Sequence, residues 1–116
     1  MPNGTFTTTI TDDDLVKGHA TRDIPENHGT FTLLLKDGFW RLHQQAPNPL
    51  QNPSAGGRLR VTGDRVVFVT YKPLEFAGSR DVLRWSFDGT RLRFHVIVGG
   101  PEEAVVFGAH PWEKVG

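Results

Sequence analysis

The chain contains no cysteine, a single methionine and a single tyrosine among its 116 residues. Without thiols there is no disulfide framework, no thiolate metal site and no cysteine nucleophile, and the redox compartment is left open. Long apolar runs are missing too, as is an N-terminal leader pattern, so no membrane span is expected. The expectation is a cytoplasmic protein, or an extracellular one if the chain is a domain excised from a longer protein. Charge of one sign is not in excess: 13 Lys and Arg balance 13 Asp and Glu. Bulk charge therefore argues for neither nucleic acid nor an anionic membrane as a partner. No Gly-x-Ser-x-Gly elbow, P-loop, dinucleotide fingerprint or His-Glu-x-x-His occurs. That argues against triad hydrolysis and redox chemistry, and no cofactor is expected. The run Asp12-Asp13-Asp14 with His19 lacks the alternating spacing and turn glycine of a calcium loop. Helix capping accounts for it instead, and no metal is expected.

What the chain does have is one device used three times: two apolar-alternating runs joined by a glycine-containing pair. Asp37-Gly38 separates GTFTLLLK from FWRLHQQ, Gly63-Asp64 separates GRLRVT from RVVFVTY, and Asp88-Gly89 separates VLRWSF from TRLRFHVIV. Such pairs supply the positive φ that tight hairpins need and so set strand register. In the first hairpin Leu35 then faces Trp40, Leu33 faces Leu42 and Phe31 faces Gln44. In the second, Val61 faces Val66, Leu59 faces Phe68 and Gly57 faces Thr70. In the third, a two-residue turn sets Trp85 against Leu92, Leu83 against Phe94 and Phe87 against Thr90. One surface gathers the large aromatics other than Phe39 and Tyr71. The other gathers Arg41, His43, Arg58, Arg60, Arg84, Arg91, Arg93 and His95.

This patterning predicts eight strands, at about 5–10, 29–36, 39–46, 57–62, 65–71, 81–87, 90–98 and 110–115. Long connections (11–28, 47–56, 72–80, 99–109) alternate with the three tight turns. In an up-and-down meander alternate connections lie at opposite ends, so the tight turns close one end and the long segments frame the other. The fold class is all-β: an eight-stranded antiparallel up-and-down barrel, with residues 1–116 as one domain. Two connections read as short lid helices at the open end. Thr11 through Asp14 forms a capping box before Leu15-Val16. Pro101-Glu102-Glu103 opens a second helix that ends near Gly108.

Gly4-Thr5-Phe6 at the first strand resembles a degenerate form of the Gly-x-Trp that opens lipocalin-type barrels, with phenylalanine in place of tryptophan. With the meander and the closing His110-Pro111-Trp112-Glu113-Lys114-Val115, the chain resembles small bacterial lipocalin-like (calycin) domains. More narrowly, it is similar to a barrel module of actinobacterial proteins, some of which append it to solute-binding proteins of ABC transporters. The resemblance spans nearly the whole chain, but its motifs are structural. It implies carriage of an apolar small molecule, or, as in a few related barrels, isomerase or cyclase activity. The histidine pattern of haem-binding nitrobindin-type barrels is absent.

The inward set divides by height. Leu35, Trp40, Val61, Val66, Phe87 and Leu92 are expected to plug the closed end. Toward the mouth, Phe31, Leu33, Leu42, Gln44, Leu59, Phe68, Thr70, Leu83, Trp85, Phe94 and Val96 are the candidate ligand-binding residues. Such a set, mostly apolar with a few placed polar groups, is the usual make-up of a small-molecule site. Gln44 and Thr70 either orient a ligand carbonyl or hydroxyl or simply meet water at the rim. A barrel filled solid by these side chains is the alternative to one with a pocket. Titratable groups at the mouth are His19, Asp23, Glu26, His28, Glu75, Glu102, Glu103 and His110. The leading functional expectation is a carrier or sensor of a small hydrophobic or amphipathic molecule. The alternative is a cofactor-independent cyclase or isomerase acting on a polyketide-like or other hydrophobic substrate; no catalytic residue is assigned. Outward Leu34, Val67, Val69, Tyr71, Val82 and Ile97 offer a route to a homodimer through the outer sheet surface.

Overall fold

The computed structural model describes residues 1–21, 28–46, 55–72 and 76–116, of which 45 and 46 by their backbone alone. Eight strands follow one another around a closed barrel: β1 (Gly4–Ile10), β2 (Gly29–Lys36), β3 (Phe39–Ala46), β4 (Ala55–Thr62), β5 (Arg65–Lys72), β6 (Arg80–Phe87), β7 (Arg91–Val98) and β8 (Trp112–Lys114). Every neighbouring pair is antiparallel. Helix α1 (Asp12–Lys17) lies between β1 and β2, and α2 (Pro101–Gly108) between β7 and β8. The barrel is the expected one, and the two helices sit in long connections at the end away from the tight turns. Of the expected 47–56 connection, residues 47–54 lie outside the described residues, as do Asp23, Glu26 and Glu75, while Ala55 and Gly56 belong to β4. Among the described residues, no helix is long and apolar enough to cross a membrane.

The hairpin chemistry works as the residues dictate. Asp37 and Gly38 both take positive φ (50° and 83°), the pattern of a type I′ turn, and Leu35↔Trp40, Leu33↔Leu42 and Phe31↔Gln44 follow. Gly63 alone is positive (60°) in the second turn, the type II′ pattern, and Val61↔Val66, Leu59↔Phe68 and Gly57↔Thr70 follow. The third hairpin corrects the expected register. Phe87 pairs with Leu92, Trp85 with Phe94 and Leu83 with Val96, so the loop is longer than the Asp-Gly pair suggests. The cause is the Asp88 side chain. Its Oδ1 accepts from the backbone N–H of Thr90 at 2.9 Å and of Arg91 at 2.8 Å, organising a wider Asx-type loop. Because the shift is two residues, each side chain keeps its face.

Period-two burial runs through the wall. Phe6, Thr8 and Ile10 of β1, Phe31, Leu33 and Leu35 of β2, and Val66, Phe68 and Thr70 of β5 are all buried. Val61 is a correction: it faces the inner side but is 42% exposed. Strand β4 pairs with β3 only from Ala55 to Arg58, so the tip of the β4–β5 hairpin projects past its neighbour. Such stagger follows from the shear that closes a tilted barrel. Trp85 beneath that tip is half-buried and donates its Nε1–H to the Gly63 carbonyl at 3.0 Å. Gly57 is required by close packing, since a Cβ there would stand 1.8 Å from the Val69 carbonyl oxygen.

The ends are held by local chemistry. Thr11 caps α1 by accepting from the Asp14 N–H at 3.1 Å, and Asp14 returns the favour to the Thr11 N–H at 2.9 Å. Strand β8 is shorter than expected: His110 turns to Asp14 at 2.9 Å, and Pro111 has no N–H to give a ladder. Trp112 is fully buried and donates to the Phe107 carbonyl at 3.1 Å, tying β8 to α2.

Candidate functional site

Helix α2 does more than cover the mouth. Val105, Val106 and Phe107 are buried, and the Phe107 ring enters the barrel. It meets Phe68 at 5.3 Å and Phe94 at 5.8 Å edge-on, with Trp112 at 6.0 Å. Phe68 in turn stacks on Trp40 at 5.3 Å and meets Phe94 edge-on at 5.8 Å. These separations are those of directly packed rings. Phe107 thus occupies the axial space that the strands alone would leave open.

The candidate residues separate accordingly. Phe31, Leu33, Phe68, Leu83 and Phe94 are buried within the core. Leu59, Trp85 and Val96 pack against it from partly buried positions. Gln44 is buried and donates its side-chain N–H to the His28 carbonyl, so it ties β3 to the start of β2. Leu42 and Thr70 line a pocket of about 430 Å³ at the mouth.

That pocket lies between the first half of β3, the end of β5, the start of β6 and α2. Trp40, Leu42, Phe76 and Phe107 give it apolar walls; Thr70, Ser79, Arg80, Asp81 and Glu103 give it polar ones. The β5–β6 connection is anchored beside it, with Thr70 N–H on the Ser79 carbonyl at 2.9 Å and Gly78 N–H on the Thr70 carbonyl at 2.8 Å. Asp81 sits opposite Phe68 in the ladder, on the inner face. Burial pushes its carboxyl up to about 6, and the negative charge of Glu103 on α2 adds to the shift. A half-desolvated acid that titrates near neutrality can accept a hydrogen bond in one state and donate one in the other.

Asp81 and Phe107 were not among the expected site residues. Asp81 was legible, because it shares parity with Leu83, Trp85 and Phe87 on the inward side of β6. Phe107 was visible only as part of the apolar stretch Ala104–Phe107; nothing in the order of residues says that this ring enters the barrel.

Two of the mouth histidines are engaged elsewhere. His28 contacts the Asp12 carboxylate, and His110 contacts Asp14 at 2.9 Å, so both brace α1. Among the described residues, no group of three or more His, Cys, Asp or Glu is arranged to hold a metal ion. Comparisons with protein-family models, with curated proteins and with solved structures return no match.

Proposed function

We propose that the chain binds one small amphipathic molecule at the barrel mouth, acting as a carrier or sensor. The apolar body of the ligand lies against Leu42, Phe76 and the ring edges of Trp40 and Phe107 that line the pocket. Its polar end meets Thr70, Asp81 and Glu103. The observation that carries this reading is the meeting of the aromatic core with a carboxyl of raised pKa in one solvent-connected pocket. The resemblance to lipocalin-like domains supports the same class of ligand, by analogy of fold.

A cationic amphiphile suits an ionised Asp81, and a neutral hydrogen-bond acceptor suits the protonated form. The test is titration of tryptophan fluorescence with paired probes, a naphthylalkylamine and its alcohol, from pH 5 to pH 8. The amine is expected to tighten as pH rises through about 6, the value for Asp81, and Asp81→Asn is expected to flatten that rise. Absence of binding by both probes, or amine binding indifferent to Asp81→Asn, overturns the assignment.

The same carboxyl favours a second reading, a cofactor-independent isomerase or cyclase. Asp81 would move a proton on a substrate held in the pocket, where positioning lowers the barrier. Product formed from a hydrophobic carbonyl substrate, and lost with Asp81→Asn while binding persists, distinguishes catalyst from carrier.

A further inference from the structure

The chain's zero net charge conceals a strong segregation. Strands β2 to β7 carry most of the basic residues and, of the acids, Asp81 alone. The remaining acids lie on α1, α2 and β8 and in the connections. Arg65 and Arg84 stand directly opposite each other in the β5–β6 ladder, a placement that costs stability. Among the described residues, Arg91 with Glu113 is the only ion pair that neutralises an arginine or lysine of this wall.

On the wall, Arg58 and Arg60 of β4 and Arg80 of β6 flank Val67, Val69 and Tyr71 of β5. Together they border a groove of about 290 Å³. Its floor is apolar and its rim carries three guanidinium groups. Arg58 also lies over the Phe39 ring at 5.3 Å, which restricts where that guanidinium can be. Tyr71 is 49% exposed and borders a second groove of about 510 Å³, shared with Leu34, Phe39, Arg41 and Lys72. Aromatic and aliphatic surface is thus framed by cations; no carboxylate lines the first groove, and Asp37 is the one that lines the second.

We propose that this outer groove is a second binding site, for a small organic anion. Its phosphate, sulfate or carboxylate group is held by Arg58, Arg60 and Arg80, and its aromatic or aliphatic body rests on Val69 and Tyr71. Arginine suits the task because its planar fork offers paired donors to an oxyanion, and it sheds water more readily than an ammonium. The ligand charge also relieves the repulsion within the wall. Arg80 also borders the mouth pocket, but Arg58, Arg60 and Tyr71 do not, so their variants test this site apart from the function proposed above.

The test uses 2-naphthyl phosphate, with 2-naphthol and inorganic phosphate as partial ligands, followed by backbone amide shifts. The ester is expected to move residues 58–60, 67–71 and 80, and to weaken as salt is added. Arg58→Gln and Arg60→Gln are each expected to weaken it by about tenfold, the effect of losing one charge-assisted hydrogen bond at a partly solvated site. Tyr71→Ala weakens the ester while leaving the weak binding of inorganic phosphate unchanged. Equal affinity for naphthol and its ester, shifts confined to the mouth, or unchanged affinity in both arginine variants overturns the proposal. So does selective binding of oligothymidylate or of anionic phospholipid vesicles in place of the monomeric ester.

Discussion

At the scale of single residues, Asp81 concentrates the chemistry of the mouth. Folding raises its carboxyl to about 6, first through burial and then through Glu103. The folded protein therefore keeps a proton that the unfolded chain releases near pH 4, the ordinary value for aspartate being about 3.9. Across that window the folded state binds more protons, so the contribution of Asp81 to stability falls as pH rises from about 4 through about 6. Glu103 from α2 and Arg80 from the same strand are the other charged groups at this pocket. Asp81→Asn is expected to be more stable than the parent at pH 7 by up to about 1 kcal/mol, a half-open site being screened by water. The difference should close below about pH 4. Urea unfolding midpoints measured against pH check this, and parallel profiles for the two proteins would show that Asp81 is not desolvated. Asp14 behaves in the opposite sense. Burial raises it, but hydrogen bonds from the Thr11 backbone, His110 and the Thr11 hydroxyl outweigh that and hold it below the usual carboxylate value. Its stabilising contribution is present above the ordinary aspartate pKa and is lost as pH falls through the lowered one.

At the scale of elements, α2 decides whether the barrel is hollow. Its buried face delivers Phe107 between Phe68, Phe94 and Trp112, while Gly18 at the end of α1 lets the two helices meet. A Cβ on Gly18 would stand 2.2 Å from Cγ2 of Val105. Phe107→Ala is expected to cost about 3–5 kcal/mol, since the strands around the ring cannot collapse into the space it leaves. The melting temperature should fall accordingly, at about 4–8 °C per kcal/mol for a domain of this size. Indole should recover part of the loss by filling the void. Thermal melts with and without indole measure both effects. A fall of only a few degrees, with no response to indole, would mean that Phe107 does not fill the axis.

At the scale of the whole molecule, closure rests on an uneven seam. Strand β1 pairs with β2 along its full length, Gly4↔Leu35 to Ile10↔Gly29. On its other side it meets β8 only at Phe6↔Lys114 and Thr7↔Glu113, supplemented by Thr5 N–H to the Gly116 carbonyl at 3.1 Å and Val115 N–H to the Thr5 carbonyl at 2.8 Å. A short ladder opens without unfolding the rest. Amide exchange at Thr5 and Val115 is expected to be at least about tenfold less protected than at Leu34 and Arg41, a hydrogen-bonded pair of the β2–β3 hairpin. Uniform protection across these four amides would show that the barrel opens only as a unit.

The order of residues determined the strands, their faces, which end the tight turns close, and the cap on α1. These depend on backbone torsions and on parity, and both are encoded by neighbours in the chain. Asp37-Gly38 and Thr11 through Asp14 carry their own geometry wherever they are placed, and even the misjudged Asp88 loop left the faces intact because its slip was an even number of residues. Tertiary structure alone decided that Phe107 fills the axis, that shear exposes Val61, that Glu103 comes beside Asp81, and that Arg58 and Arg60 share a groove with Arg80. Volume and long-range apposition belong to the assembled barrel. Periodicity reports the side of a strand on which a group lies, and only closure decides what stands opposite it.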